Sequence, residues 1–349
     1  MRSSYSEEDV ILLLKDITGL VEPQPTEERE KLIQSGKHYS EMLPIEYVPT
    51  EKYMNVYNEA LENYAKPVAD AVGKLSDKII KLKGKNVVLV SLARAGIPIG
   101  ILIKRYIRYK YKIDMPHYSI SIIRGRGIDD NAMKFLLKEY NAEQLLFVDG
   151  WIGKGAILNE LRKDIAAYKG VSSDIAVIAD PANVTELCGT HDDILIPSSC
   201  LNSTVSGLVS RTFLREDIIG KNDFHGAVYY GELKESDLSY AFIEAIESKF
   251  SLDNNEEELS IEGKGLDEVK EIGAHFGVND INLIKPGIGE ATRVLLRRVP
   301  WKILIDERYK EDPQLGHLVR LAEEKNVPIE YYPLKHYKCC GIIKKIADA

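Results

Sequence analysis

The sequence lacks any long apolar run: none approaches the roughly 18 consecutive residues that a membrane-spanning helix needs. The first eight residues hold no apolar segment of the kind that forms the core of a signal peptide. Cysteine is scarce, with 4 in 349 residues, and the adjacent Cys339 and Cys340 do not have the CxxC spacing of a metal site. We therefore expect a cytoplasmic protein with no disulfide framework, no metal site built from cysteines and no membrane partner.

Basic residues are outnumbered, and the deficit is uneven along the chain. There are 46 Lys and Arg against 54 Asp and Glu, a net charge of -8. Residues 259–349 hold 15 basic and 14 acidic residues, so they carry +1 and the rest of the chain carries -9. Only this C-terminal part is electrostatically tolerant of a polyanion. The polar stretch 251–258 predicts a linker between domains 1–250 and 259–349.

The most informative segment begins at residue 145. Residues 145–148 are four consecutive apolar residues, which is typical of a buried parallel strand. The strand ends on Asp149, and three glycines then space a turn that leads into a helical pattern. Free N–H groups at the start of a helix suit a phosphate, and the acid suits hydroxyl groups beside it. A sugar phosphate meets both conditions; the alternative is a strand-to-helix turn that binds nothing.

Two further Arg-bearing loops follow predicted strands. Residues 86–92 predict a buried strand, and Arg94 stands in the small-residue run that follows it. Residues 117–123 alternate as a strand and lead to Arg124 and Arg126, which alternate with glycine. Three such loops in this order resemble those of type I phosphoribosyltransferases, which use 5-phosphoribosyl-1-diphosphate (PRPP).

The resemblance implies an α/β fold with a parallel sheet and flanking helices, and a site that binds PRPP with Mg²⁺. Asp149, Arg124 and Arg126 are the implied catalytic residues, with the two arginines on a flexible loop that closes over the diphosphate. The residues expected to bind PRPP are Arg94, Ala95, Gly96, Asp149, Gly150, Gly153, Lys154, Gly155 and Ala156. The family usually has two adjacent acids, and Gly150 stands in the second position. A regulator that binds a ribosyl phosphate or nucleotide without turnover is therefore an alternative.

The first 85 residues are predicted to be mostly helical, with Pro67 expected to break or kink a long helix. Residues 201–212 are dense in short hydrogen-bonding side chains, which favours either a pocket for a polar small molecule or a helix start with Ser and Thr packing inward. An aromatic face nearby suits a base-like acceptor. The expected acceptor pocket comprises Asn202, Ser203, Thr204, Ser206, Arg211, Phe224 and His225.

Residues 40–44, 148–151, 201–212 and 224–226 resemble the phosphoribosyltransferase-like domain of bacterial tellurium-resistance and stress gene clusters, a family also labelled cysteine protease StiP. The label implies a cysteine nucleophile. Cys200 is the candidate, with His191 or His225 as its base. Nothing around Cys200 resembles a protease signature, and a small buried cysteine is the commoner case. We therefore rank phosphoribosyl transfer from PRPP to an unidentified acceptor above proteolysis.

From residue 259, strand and helix patterns alternate and predict a small α/β sandwich. Residues 287–293 and 321–333 resemble Pelota-type and kink-turn RNA-binding proteins, with Gly289 in the place of the Asn that reads a base. The resemblance implies binding of structured RNA with little base selectivity. The expected RNA contacts are Gly287, Gly289, Glu290, Thr292, Arg293 and Arg297. A purely structural module is the alternative, and a homo-oligomer is compatible with either.

Overall fold

The computed structural model describes residues 1–253 and 262–344. Most of the predicted 251–258 linker and the predicted strand over residues 259–261 lie outside this part of the chain. No helix in the described part is long and apolar enough to cross a membrane.

A seven-stranded sheet forms the centre of the first domain, in the order β1-β4-β3-β6-β7-β8, with β5 paired to β4. All neighbours along the six-strand path are parallel, whereas β5 is antiparallel to β4. The strands are β1 (Ile11–Leu12), β3 (Val88–Ala93), β4 (His117–Ile123), β5 (Gly127–Ile128), β6 (Leu145–Trp151), β7 (Ile175–Ala179) and β8 (Cys188–Thr190). A separate parallel pair joins β2 (Lys15–Asp16) to β9 (Gly226–Ala227).

The central strands are buried because helices cover both faces of the sheet, which explains their continuous apolar runs. One face is covered by α2 (Glu51–Lys83), α3 (Gly96–Tyr111) and α6 (Ser239–Glu247), which pack on one another. The other face carries α4 (Asp130–Glu139) and α5 (Ala156–Ile165). The remaining helix of this domain is α1 (Thr26–Gln34). The prediction of an α/β fold with a mainly parallel sheet and flanking helices is confirmed.

Two details of the N-terminal region differ from expectation. Residues 1–25 are not helical, and their strand β1 extends the outer edge of the sheet beside β4. Helix α2 continues through Pro67 for 33 residues instead of ending there. The buried side chains of Tyr64 and Val68 hold the helix against the core on both sides of the proline, so tertiary packing outweighs the missing hydrogen bond.

The second domain is a four-stranded sheet in the order β10-β13-β11-β12, flanked by three helices. Its strands are β10 (Ile284–Pro286), β11 (Pro300–Ile305), β12 (Ile329–Tyr331) and β13 (Cys339–Ile343), and its helices are α7 (Gly265–Phe276), α8 (Ile288–Arg297) and α9 (Gly316–Glu324). Strand β13 was not predicted from the sequence, although it is buried along its whole length inside the sheet. Cys339 and Cys340 are two of its core residues.

The two domains meet closely where α7 begins. The Gly265 amide donates a 2.9 Å hydrogen bond to the carbonyl of Ala182, which follows β7 in the first domain. A Cβ on Gly265 would lie 2.1 Å from the Tyr337 hydroxyl and 2.8 Å from the Ala182 Cα, so only glycine fits this contact.

Gly265→Ala should therefore lower the free energy of unfolding by roughly 1–3 kcal/mol, the usual effect of overpacking. The measurement is urea unfolding followed by circular dichroism. Gly316→Ala is the matched control, because Gly316 also begins a helix but a Cβ there would meet nothing closer than 3.5 Å. The control should change stability by less than about 0.5 kcal/mol. Equal stability of the two variants would contradict this interface.

Candidate functional site

The order of the strands opens a crevice where β3 and β6 lie side by side. From β3 the chain crosses to β4 on one side, and from β6 it crosses to β7 on the other, so the loops after β3 and β6 diverge. In open α/β sheets, ligands bind at such a point beyond the carboxyl ends of the strands. Arg94 follows β3, and Asp149 lies in the last part of β6. The two loops touch, because a Cβ on Gly96 would lie 2.4 Å from the Val148 carbonyl oxygen.

Asp149 presents a half-buried carboxylate at this crevice. Its Oδ1 accepts a 2.8 Å hydrogen bond from the Gly150 amide, and its Oδ2 accepts none from the described residues. Burial raises the pKa of Asp149 to about 6, against the opposing effect of the Gly150 hydrogen bond. Most of the carboxylate is therefore ionised at neutral pH and free to accept hydrogen bonds from a ligand.

The loop that follows Asp149 leads directly into α5. Gly155 has a φ of +86°, and no side chain caps the helix. The amides of Gly153, Lys154 and Gly155 have no hydrogen-bond acceptor within the described ranges. Backbone N–H groups at the start of a helix attract an anion. The free amides of this loop are therefore available to an anionic ligand.

Residues of the second domain form hydrogen bonds with this loop. The Lys154 ammonium donates to the carbonyls of Ile281 and Ile284, at 2.6 and 2.9 Å, and burial together with the charge of Lys285 lowers its pKa to about 8. The Tyr337 hydroxyl donates to the Gly153 carbonyl at 2.8 Å. The crevice between the loops after β3 and β6 therefore lies beside the domain interface.

Arginines from both domains converge at this end of the sheet. Arg94 donates to the Val209 carbonyl at 2.8 Å and to Asn202 Oδ1 at 3.2 Å. Arg297, at the end of α8, donates to the same Asn202 oxygen at 2.8 Å and to the Cys200 carbonyl at 2.9 Å. Two guanidinium groups thus share one neutral acceptor.

Arg211 is the third arginine here, and we refer to Arg94, Arg211 and Arg297 as the arginine cluster. Arg211 donates to the backbone carbonyls of Tyr39 and Met42. Burial lowers the pKa of Arg211 and of Arg297 to about 10, and the positive charge of Arg94 adds to the effect at both. Among the described residues, no carboxylate lies within ion-pair distance of any of the three. Such a cluster favours a bound anion.

Arg124 and Arg126, which were predicted to lie on a flexible loop, lie on the short turn between β4 and β5. Arg126 forms a 2.5 Å ion pair with Glu41, and Arg124 donates to Asn282 of the second domain at 3.3 Å. The Gly125 amide donates to Glu160 at 3.0 Å. The Arg124 amide donates a 3.0 Å hydrogen bond to the hydroxyl of Tyr39, whose carbonyl Arg211 binds. The guanidinium groups of Arg124 and Arg126 share no hydrogen-bond acceptor with the arginine cluster among the described residues.

The predicted acceptor residues divide between two places. Asn202 and Arg211 take part in the arginine cluster, as described above. Two of the neighbouring hydroxyl groups already have acceptors: Ser203 donates to Glu46 at 2.8 Å, and Ser206 donates to the Asn202 carbonyl at 2.9 Å. The Thr204 hydroxyl is buried and has no hydrogen-bond partner among the described residues. Phe224 packs edge-on against Phe135 of α4, with ring centres 6.3 Å apart, and His225 bonds to Ser121 at 2.8 Å. These two residues form no ring contact or hydrogen bond with the cluster in the described part.

The cysteines are all buried. Burial raises the pKa of Cys200 to about 12, although the charge of Arg297 opposes the shift. Neither predicted base hydrogen-bonds to Cys200. Instead, His191 contacts Cys188, with 3.4 Å between Nε2 and Sγ, and its Nδ1 lies 2.9 Å from the Asp180 carbonyl. Cys188 begins strand β8 and His191 follows its last residue, so the sequence signal for this pair was only their separation of three residues.

The turn predicted to bind RNA lies in the domain interface. Gly287, Gly289 and Thr292 are buried, and Arg293 lies over Trp151 of the first domain at 6.0 Å from the ring centre. The buried carboxylate of Asp193 accepts hydrogen bonds from the amides of Ile288 and Lys338, at 3.0 and 2.9 Å. The remaining residue, Glu290, lies near Arg293 and Lys285. A first-domain carboxylate thus occupies the start of α8.

Comparisons with known proteins match both domains. Residues 3–247 match the family described as tellurite-like stress resistance cysteine protease StiP, and residues 263–345 match the PELOTA RNA binding domain. A protein of Acinetobacter baylyi named "Cysteine protease StiP" is 34% identical over 98% of this chain and 94% of its own length. A hypoxanthine-guanine phosphoribosyltransferase from Bacillus anthracis aligns with 35% of this chain and 71% of its own, at 15% identity and a TM-score of 0.26, which is too low to support an argument.

The burial of the thiols has a direct chemical consequence. With intact protein at pH 8, a thiol reagent such as DTNB should react within minutes with less than about one thiol per chain, since a buried neutral thiol is a poor nucleophile. In denaturant it should react with all 4. Rapid reaction of one thiol in the folded protein, lost in Cys188→Ser or Cys200→Ser, would show that the structure hides a reactive cysteine.

Proposed function

The chain belongs to the StiP family of stress-resistance proteins, and from that premise we propose that its first domain binds PRPP in the crevice between the loops after β3 and β6. The observation that carries the proposal is that the loop with Arg94 touches the end of β6 at Asp149, at the strand switch point and beside a loop with free amides. The loop amides suit the 5-phosphate and Asp149 suits the ribose hydroxyls. Arg94 suits the diphosphate.

The reaction we propose is phosphoribosyl transfer. The bond between the anomeric carbon and the diphosphate oxygen breaks, and the diphosphate leaves with the electron pair. A nucleophilic atom of the acceptor forms the new bond to that carbon and releases its proton to solvent. Asp149 is placed to stabilise the positive charge that develops on the ribose ring.

Mg²⁺ would enter this site with PRPP. The described residues contain no group of three or more His, Cys, Asp or Glu side chains that could hold a metal ion by themselves. The diphosphate oxygens of PRPP would therefore supply most of the ligands, and Asp149 is the carboxylate at the crevice that could contact the ion. When bound, Mg²⁺ neutralises charge on the leaving diphosphate.

Asp149→Asn should weaken PRPP binding about tenfold or more, because a hydrogen bond to a charged group contributes roughly 1.5–3 kcal/mol. Isothermal titration calorimetry with PRPP and Mg²⁺ measures the effect. The wild-type advantage should shrink as the pH falls through about 6, where Asp149 becomes protonated and neutral. Asp174→Asn, an exposed acid just before β7, is the control and should bind as wild type does. Absence of binding by the wild type at every Mg²⁺ concentration would rule out the ligand.

Cysteine proteolysis is the second candidate, because the family and its Acinetobacter relative carry that name. The contact between Cys188 and His191 is the geometry that favours it. Cys188 is fully buried, so a peptide could reach it only after the surrounding structure opens. A peptidase activity that Cys188→Ser abolishes and Cys200→Ser leaves intact would establish this function in place of ours.

We also propose that the second domain binds structured RNA, as the name of its matching family suggests. If the turn at 287–293 makes the contact, it must first leave the interface, so binding by the whole chain should be weak and should fall steeply with salt. Lys154→Ala removes two hydrogen bonds across the interface and should strengthen binding to a stem-loop in gel shifts, while Arg293→Ala should weaken it. If neither variant changes the affinity, the turn is not the RNA contact.

A further inference from the structure

We propose that Arg297, a side chain of the second domain, completes the ligand site of the first domain by binding a diphosphate group together with Arg94. The inference deepens the proposed function and rests on it for the identity of the whole ligand. The diphosphate subsite itself rests on the arginine cluster.

The shared acceptor is the first argument. The side-chain amide of Asn202 must point its oxygen at the two arginines, since both of them are donors. The bonded nitrogen of Arg94 lies 3.2 Å from that oxygen and the bonded nitrogen of Arg297 lies 2.8 Å from it. These two nitrogens are therefore at most about 6 Å apart, and the like charges of the two guanidinium groups repel each other. A neutral amide cannot offset two positive charges in a half-buried place, whereas an anion can.

Unused donors are the second argument. The Nε atoms of Arg297 and Arg211 are buried and have no hydrogen-bond partner. Arg29 of α1 adds a further positive charge near Arg211, and its own Nε is likewise buried without a partner. Glu46 is a carboxylate of this region, but it accepts hydrogen bonds from the amide and hydroxyl of Ser203. The bonds that the arginine cluster does make all end on neutral oxygens.

The chemistry of the site selects the ligand. Guanidinium groups bind phosphate oxygens through paired, charge-assisted hydrogen bonds. A diphosphate carries several negative charges and has oxygens at both ends, so it can contact two arginines at once. Arg94 comes from the loop that touches Asp149, which places this anion next to the proposed ribose position.

Calorimetric titration of the full chain with inorganic pyrophosphate, and separately with PRPP and Mg²⁺, tests the inference. Arg297→Ala should lower the affinity for both probes by about tenfold or more, because a charge-assisted contact is lost. Arg298→Ala is the matched control, since the next residue along the chain is exposed. It should bind both probes as wild type does at the same ionic strength.

Asn202→Asp is a second variant, in which the side chain keeps its size, so the protein does not have to fold around a missing side chain. It places a carboxylate at the shared acceptor, so it should raise the melting temperature of the unliganded protein and abolish pyrophosphate binding. Pyrophosphate should raise the melting temperature of wild type and leave that of Asn202→Asp unchanged.

The outcomes separate the two proposals. If PRPP binds wild type and Arg297→Ala equally well, Arg297 is not part of the site, and PRPP binding stands without it. If pyrophosphate binds with the predicted dependence on Arg297 but PRPP does not bind at all, the anion subsite stands and the proposed function fails. If neither probe binds wild type, both are overturned.

Discussion

The buried carboxylate of Asp193 links the second domain to the first at the start of α8, together with the interface bonds of Lys154 and Tyr337. Its two oxygens accept hydrogen bonds from the amides of Ile288 and Lys338, which lie in different parts of the second domain. Burial raises the pKa of Asp193 to about 6, while the two amides and the charge of Lys338 oppose the shift. Because Ile288 begins α8 and Arg297 ends it, the same helix connects this contact to the arginine cluster.

The Asp193 contact and helix α8 affect both the first-domain crevice and the turn at residues 287–293. Arg297, at the other end of α8, donates to Asn202 and so brings a second-domain charge to the first domain. The Asp193 contact covers the turn that the sequence predicted to bind RNA, because Asp193 takes the position that a phosphate would take at the start of α8. The ligand binding that we propose for the crevice therefore requires this arrangement of the two domains, whereas the RNA binding that we propose for the turn requires the domains to separate there.

The strands of the first-domain sheet that have a clear apolar or alternating pattern were predicted from the sequence. The strand over His117–Ile123 agrees with its prediction residue for residue, and the runs that became β3 and β6 were found because strands covered on both faces are continuously apolar. The central strand β13 was missed because its two cysteines were considered only as thiols. Residues 1–25 have too little periodicity to reveal that β1 joins the sheet.

The site was only partly predictable for a different reason. Arg94 and Asp149 each follow a recognisable strand, so sequence order was enough to place both at one edge of the sheet. Arg297 lies about 200 residues away from Arg94 along the chain and was assigned to RNA, because nothing in a sequence shows which domain a helix will face. The pairing of His191 with Cys188 rather than Cys200 also depends on the position of a short edge strand.

The central claim is that an anion binds between arginines of two domains. The most direct measurement is a crystal structure of the full chain soaked with tungstate, a phosphate-like anion that is located by its anomalous scattering. We predict a peak within hydrogen-bond distance of both Arg94 and Arg297, next to Asn202. A peak that contacts only one of the two arginines, or a helix α8 that faces away from the crevice, would contradict the account.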